Sequence, residues 1–133
     1  MSNNCSKVWD EISSFPELSP KFIIWFQEYL NWKISSKKQQ LSEDFIRTYL
    51  NKVNWDYVSQ YQTLSESFIK EFKTLVNWDY ICTYQSLSEA FIKEHKKQVN
   101  WQYVLKFQRV SPEFVAEMEP YIQNQQNGPL NIE

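Results

Sequence analysis

The side chains that could do chemistry in this chain are few and scattered. There is one histidine, His95, one glycine, Gly128, and two cysteines, Cys5 and Cys82, that lie far apart. A metal centre needs several His, Cys or carboxylate ligands at short spacings, and no such grouping is present. A phosphate-cradling loop needs several glycines, so a single one excludes it. A nucleophile pair of Ser/His or Cys/His type has no candidate standing outside a repeating pattern. Carboxylates are plentiful, but they fall at helix starts and on exposed faces, as solvated charges do. The sequence thus predicts no enzyme, no cofactor and no metal. What remains is a lysine cluster, Lys33, Lys37 and Lys38, whose only chemistry would be contact with an anion.

The elements that position these residues follow from a ruler of 23 residues. Trp9, Trp32, Trp55, Trp78 and Trp101 keep it without a slip. So do Ser19, Ser42, Ser65, Ser88 and Ser111, and so do Phe22, Phe45, Phe68, Phe91 and Phe114. Three registers in phase define five units, 8–30, 31–53, 54–76, 77–99 and 100–122. Residues 1–7 form an N-terminal segment or cap, and 123–133, polar and carrying Gly128 and Pro129, read as a disordered tail.

Each unit divides at its serine. Phe68, Ile69, Phe72 and Val76 follow Ser65 at spacings that place them on one helical face, with Lys70, Glu71 and Lys73 opposite. The serine suits an N-cap. The next residue is Glu43, Glu66 or Glu89 in three units and Pro20 or Pro112 in two, and Glu and Pro share a preference for the first helical turn. In the first half of the unit, Asn31, Asn54, Asn77 and Asn100 take the cap position. The unit is expected to be a helix of about two turns followed by one of about three. One such unit cannot bury its apolar face alone. The fold class expected is therefore all-α, an αα-solenoid of either hand built from five two-helix repeats, with the Trp and Phe registers as structural core. Gln39, Gln62, Gln85 and Gln108 keep the same ruler and are expected to bond corner backbone rather than a ligand. His95 stands in the register of Phe26, Tyr49, Phe72 and Met118, which predicts a packing role.

Departures from the pattern mark the candidate binding residues. In the second unit Ser35 and Lys38 replace an aliphatic and an aromatic, which predicts a shifted, shortened or frayed helix carrying the lysine cluster. In the first unit Ile24 and Trp25 stand where other units carry charged or polar residues such as Lys70 and Glu71. That face must be covered, either by the N-terminal segment as a cap or, as a docking or self-association face, by a partner or a second copy. Stacking also aligns Arg47, Lys70 and Lys93, with rows of glutamates beside them that partly neutralise the charge.

The bulk numbers agree. Net charge is −2, with none of the basic excess that a nucleic-acid binder shows. The N-terminal residues lack a signal-peptide core and no apolar run could span a bilayer, so a cytoplasmic, reducing location is expected. The segments NWDYVSQYQTLSESFI and NWDYICTYQSLSEAFI resemble short tandem repeats in uncharacterised proteins of large DNA viruses, with similar units in some phage and bacterial proteins. The resemblance covers 8–122 and rests on the Trp, Leu-Ser-Glu and Phe-Ile positions. It implies a viral origin and brings no catalytic residues. The function expected is binding of a protein partner, host or virion. Self-assembly into a structural or virion protein is the alternative, and nucleic-acid binding through the lysines is disfavoured.

Overall fold

Nine short side chains set where the helices begin. In the computed structural model, which describes residues 3–15 and 18–126, Ser19, Ser42, Ser65, Ser88 and Ser111 each accept a hydrogen bond from the backbone N–H of the phenylalanine three residues on. Asn31, Asn54, Asn77 and Asn100 do the same for the residue three ahead of each. Every one of these caps has extended backbone, so the chain turns a corner there and its first orphan donor is satisfied.

Eleven helices follow among the described residues, and the described residues form no strand. They are α1 (Asn3–Ser13), α2 (Pro20–Phe26), α3 (Trp32–Lys38), α4 (Glu43–Thr48), α5 (Trp55–Tyr61), α6 (Glu66–Glu71), α7 (Trp78–Tyr84), α8 (Glu89–Glu94), α9 (Trp101–Phe107), α10 (Pro112–Glu117) and α11 (Glu119–Gln126). The serine-capped helices are shorter than the three turns expected. They end at Tyr49, Phe72 and His95, where φ near −110° and ψ near 33° leave the helical region, and the following residues continue as turns. Val76 and Val99 therefore reach the core from a turn rather than from a fourth helical position.

The second-unit helix is not shortened. α3 has the same seven residues as α5, α7 and α9. Ser35 is buried, and its hydroxyl donates to Ser13 O at 3.3 Å, so the polar replacement is satisfied in place and the helix holds. Nor do residues 123–126 start a tail: they form the last turn of α11, and Pro120 stands in that helix's first turn, where it gives up no hydrogen bond. The rest of the expected tail lies outside the described residues. At the other end, Cys5 to Lys7 belong to the first turns of α1.

The chain divides into two compact units, Met1–Leu64 and Ser65–Glu133. In the first, α3 packs against both α1 and α5; in the second, α9 packs against both α7 and α11. Contacts thus join like helices of successive units, which fits a repeat helical arrangement. Fully buried aliphatic side chains form the centre: Ile46 and Val58 in the first compact unit, Ile69, Ile81, Ile92 and Val104 in the second. Each such side chain contributes roughly 1.5–3 kcal/mol through burial. The tryptophans flank this core. Trp9, Trp32, Trp55 and Trp78 are half-buried and only Trp101, at 1% exposure, is enclosed. Phe22 and Phe45 are half-buried, whereas Phe68, Phe91 and Phe114 are buried.

An indole N–H explains the tryptophan register. Trp32 Nε1 donates to Gln27 O at 2.9 Å, Trp55 to Leu50 O at 3.0 Å, Trp78 to Lys73 O at 2.9 Å and Trp101 to Lys96 O at 3.0 Å. The carbonyl in each case belongs to the turn that follows the preceding helix. A phenylalanine would fill the space but could not donate, so the position calls for Trp and keeps it at the core's edge.

Candidate functional site

Two surfaces of the first compact unit carry the residues that the sequence pattern singled out. The apolar one is built on α2. Ser19 caps the helix and Pro20 opens it, and Ile23 then points into the core at 6% exposure. On the same side Trp9 meets Phe22, Phe26 and Tyr29 with ring centroids at 6.5, 5.6 and 5.4 Å. The helical turn that sends Ile23 inward sends Ile24 and Trp25 outward, where they are 52% and 71% exposed. Residues 1–7 were one candidate cover for this face; Cys5 to Lys7 lie in α1, and Trp25 remains in solvent.

The basic surface is built on α3 and α5. Lys33 Nζ lies 5.6 Å from the ring centre of Tyr57, and Lys37 Nζ lies 5.9 Å from Tyr57 and 5.4 Å from Tyr61. Lys38 is exposed beside them. Lys37, Lys38, Gln40, Ser42, Tyr61 and Thr63 border an open cleft of about 410 Å³. The other cationic row is spent internally. Lys70 pairs with Glu94 at 2.6 Å, Lys93 pairs with Glu117, and Arg47 pairs with Asp44 at 2.7 Å. The structure therefore keeps the lysine cluster together and ties Arg47, Lys70 and Lys93 to carboxylates.

The polar groups inside the helical array bond backbone. Gln62 Nε2 donates to Ser36 O at 2.8 Å and Gln39 O at 2.7 Å, while its Oε1 accepts from Leu41 N at 2.9 Å. Gln108 repeats the pattern with Cys82 O, Gln85 O and Leu87 N. Gln39 does so with Ser13 O, Phe15 O and Leu18 N. The amides hold corners, as the sequence pattern anticipated. Gln125 of α11 takes a comparable part at the end of the second compact unit, bonding Val99 O at 2.6 Å and Trp101 N at 2.8 Å.

One register escaped the sequence reading. Ser13, Ser36, Ser59 and Cys82 also lie 23 residues apart, and all four are fully buried. The hydroxyl of Ser13 accepts from Asn31 N at 2.7 Å and that of Ser36 from Asn54 N at 2.9 Å, while each donates to a carbonyl in its own helix. Cys82 replaces the hydroxyl with a thiol that meets the backbone N–H of Asn100. Burial raises its pKa from 9.0 to about 11, against a smaller lowering by that N–H and a further rise from Asp79. A thiol held protonated is an inert one. The signal was in the spacing, masked by the change from Ser to Cys and by Leu105 at the fifth position.

His95 packs as its register suggests. It is 3% exposed, its ring lies 4.3 Å from Phe91 and 5.3 Å from Trp78, and Nδ1 is 3.1 Å from Phe91 O. Among the described residues no group of three or more His, Cys, Asp or Glu could hold a metal ion, and no helix is long and apolar enough to cross a membrane. No family model matches the chain, and comparison with curated proteins and with solved structures finds no significant match.

Proposed function

We propose that this chain is a non-enzymatic repeat module that binds a protein partner, with Ile24 and Trp25 at the docking face. The observation that carries the reading is Trp25, a tryptophan 71% exposed on a helix whose other side is well packed. A monomeric protein has little use for such a residue in water, and tryptophan is among the commonest anchors at interfaces. The reading takes the five 23-residue units as a stacked αα-solenoid of the kind that presents extended surfaces. It takes the partner as a host or virion protein and the location as cytoplasm or virion, both on the resemblance to viral repeat proteins. Enzymatic activity is no part of it: Cys82 and His95, the two side chains with nucleophile or base chemistry in the core, are both committed to packing.

Trp25→Glu tests it. Loss of partner capture with an unchanged far-UV CD spectrum is the expected outcome, and undiminished capture rules the face out. Self-association through the same apolar residues is the second reading, favoured by the same exposure. A monomeric mass by light scattering at all concentrations removes it. The ion pairs made by Lys70 and Lys93 weigh against nucleic-acid tracking along that row.

A further inference from the structure

The lysine cluster on α3 has a specificity that its neighbours lack. At the position of Lys33 the other units carry Asp10, Asp56, Asp79 and Gln102. Asp10 accepts from the side-chain amide of Asn31 at 2.8 Å, and Asp79 from that of Asn100 at 3.0 Å. A lysine cannot accept, so this helix gives up a structural contact in exchange for a positive charge. At the position of Lys38 the other units carry Phe15, Tyr61, Tyr84 and Phe107, so a second residue has been turned from aromatic to cationic. None of Lys33, Lys37 and Lys38 forms an ion pair among the described residues, in contrast to Lys52, Lys70 and Lys93. Two of the ammonium groups rest on tyrosine faces instead, which positions them without neutralising them.

We infer that the cleft between α3 and α5 docks an acidic, extended peptide segment of a partner protein. Charge complementarity chooses the occupant: unneutralised Lys37 and Lys38 border a cleft whose other walls are amide, hydroxyl and tyrosine save for Leu41, and Lys33, one turn back on α3, extends the positive face. Spacing fits as well. Lys33 and Lys37 are one helical turn apart, roughly 6 Å along the axis, close to the ~6.6 Å between alternate residues of an extended chain. Carboxylates at every second residue therefore meet successive ammonium groups, while residues between them face Tyr61 and solvent. A nucleic acid would need a longer run of free cations. The chain carries a net charge of −2, and the Lys70 and Lys93 ammonium groups already hold glutamates. The inference rests on the reading of the chain as a protein-binding module but uses a surface distinct from Trp25.

Fluorescence anisotropy with the full chain and three labelled probes tests it. The probes are a peptide of alternating Glu and Ser, the same peptide with Gln for Glu, and an oligothymidylate of equal charge. The Glu peptide is expected to bind saturably and to weaken with added salt. It should weaken on the order of tenfold or more in Lys33→Gln/Lys37→Gln/Lys38→Gln, with the CD spectrum unchanged. Lys70→Gln/Lys93→Gln, which removes paired lysines, should leave binding as it was. The inference is overturned by absence of binding, by equal binding of the Gln peptide, by an unaffected triple variant, or by tighter binding of the oligothymidylate. Partner capture that persists in the triple variant but fails in Trp25→Glu would leave the α2 docking face standing and remove only this cleft.

Discussion

Replacing Gln62 with alanine should be among the most damaging single changes in the first compact unit. The side chain is 6% exposed and engages three backbone groups at once, the carbonyls of Ser36 and Gln39 and the N–H of Leu41. These groups belong to a corner, where no helical ladder can take them over. A buried polar group left without its partner costs about 1–3 kcal/mol, and water reaching the corner recovers part of that for three groups. A net loss of about 3 kcal/mol is expected. With a urea slope near 1.5 kcal/mol/M, that lowers the midpoint by about 2 M at unchanged slope. Gln62→Glu keeps the acceptor but turns an oxygen toward two carbonyls, so at pH 7 it should cost at least as much. Gln40→Ala removes an exposed amide and should stay within about 0.5 kcal/mol of the wild type. Urea melts followed by CD at 222 nm compare the three. A cost under about 1 kcal/mol for Gln62→Ala would refute the claim that amides hold the corners.

Three further outcomes follow from buried or donor groups. Cys82 should resist Ellman's reagent in the native protein while the exposed Cys5 reacts, and both should react once the chain unfolds. Because folding raises the Cys82 pKa above its ordinary value of 9.0, its contribution is fully present below pH 9 and is lost as pH rises toward 11. The total is about 3 kcal/mol. Cys82→Ser should remove that part of the alkaline fall, and identical alkaline profiles would contradict it. Trp55→Phe keeps an aromatic ring but leaves Leu50 O without its 3.0 Å donor, for an expected loss of about 1–2 kcal/mol by urea melt. No loss would mean that the indole N–H is not what keeps tryptophan at this register.

How much of this was legible in the sequence depends on the range of the interaction. The caps were, because a serine or asparagine hydroxyl or amide bonds a backbone N–H three residues away, and the Glu/Pro exchange marks the first turn independently. The glutamine ladder was legible from its spacing, though its partners lie 21 to 26 residues back in the chain. The fate of α3 was not. Ser35 looked like a defect until Ser13 O was placed beside it, a contact 22 residues distant that no local pattern reports. α11 was missed for a related reason. QNQQ has the composition of a disordered tail, yet Gln125 reaches Val99 and Trp101 and Ile122 is buried. The serine register ending in Cys82 was hidden by chemistry, since a thiol and a hydroxyl can share a structural role that residue identity does not advertise. The two candidate surfaces were visible as departures from the repeat, but their exposure and the tyrosine seats of the lysines needed three dimensions.

The central claim is that Trp25 anchors a protein partner, and the most direct measurement is comparative capture followed by affinity. Wild type and Trp25→Glu, matched by CD, are used as bait in a lysate of candidate host cells. Any protein retained by the wild type alone is then purified and titrated against both forms. Because anchor residues at interfaces cost 2 kcal/mol or more on truncation, the account predicts at least about a thirtyfold loss of affinity in the variant. Equal affinity for the two forms, or a wild type that retains nothing except itself, would contradict it.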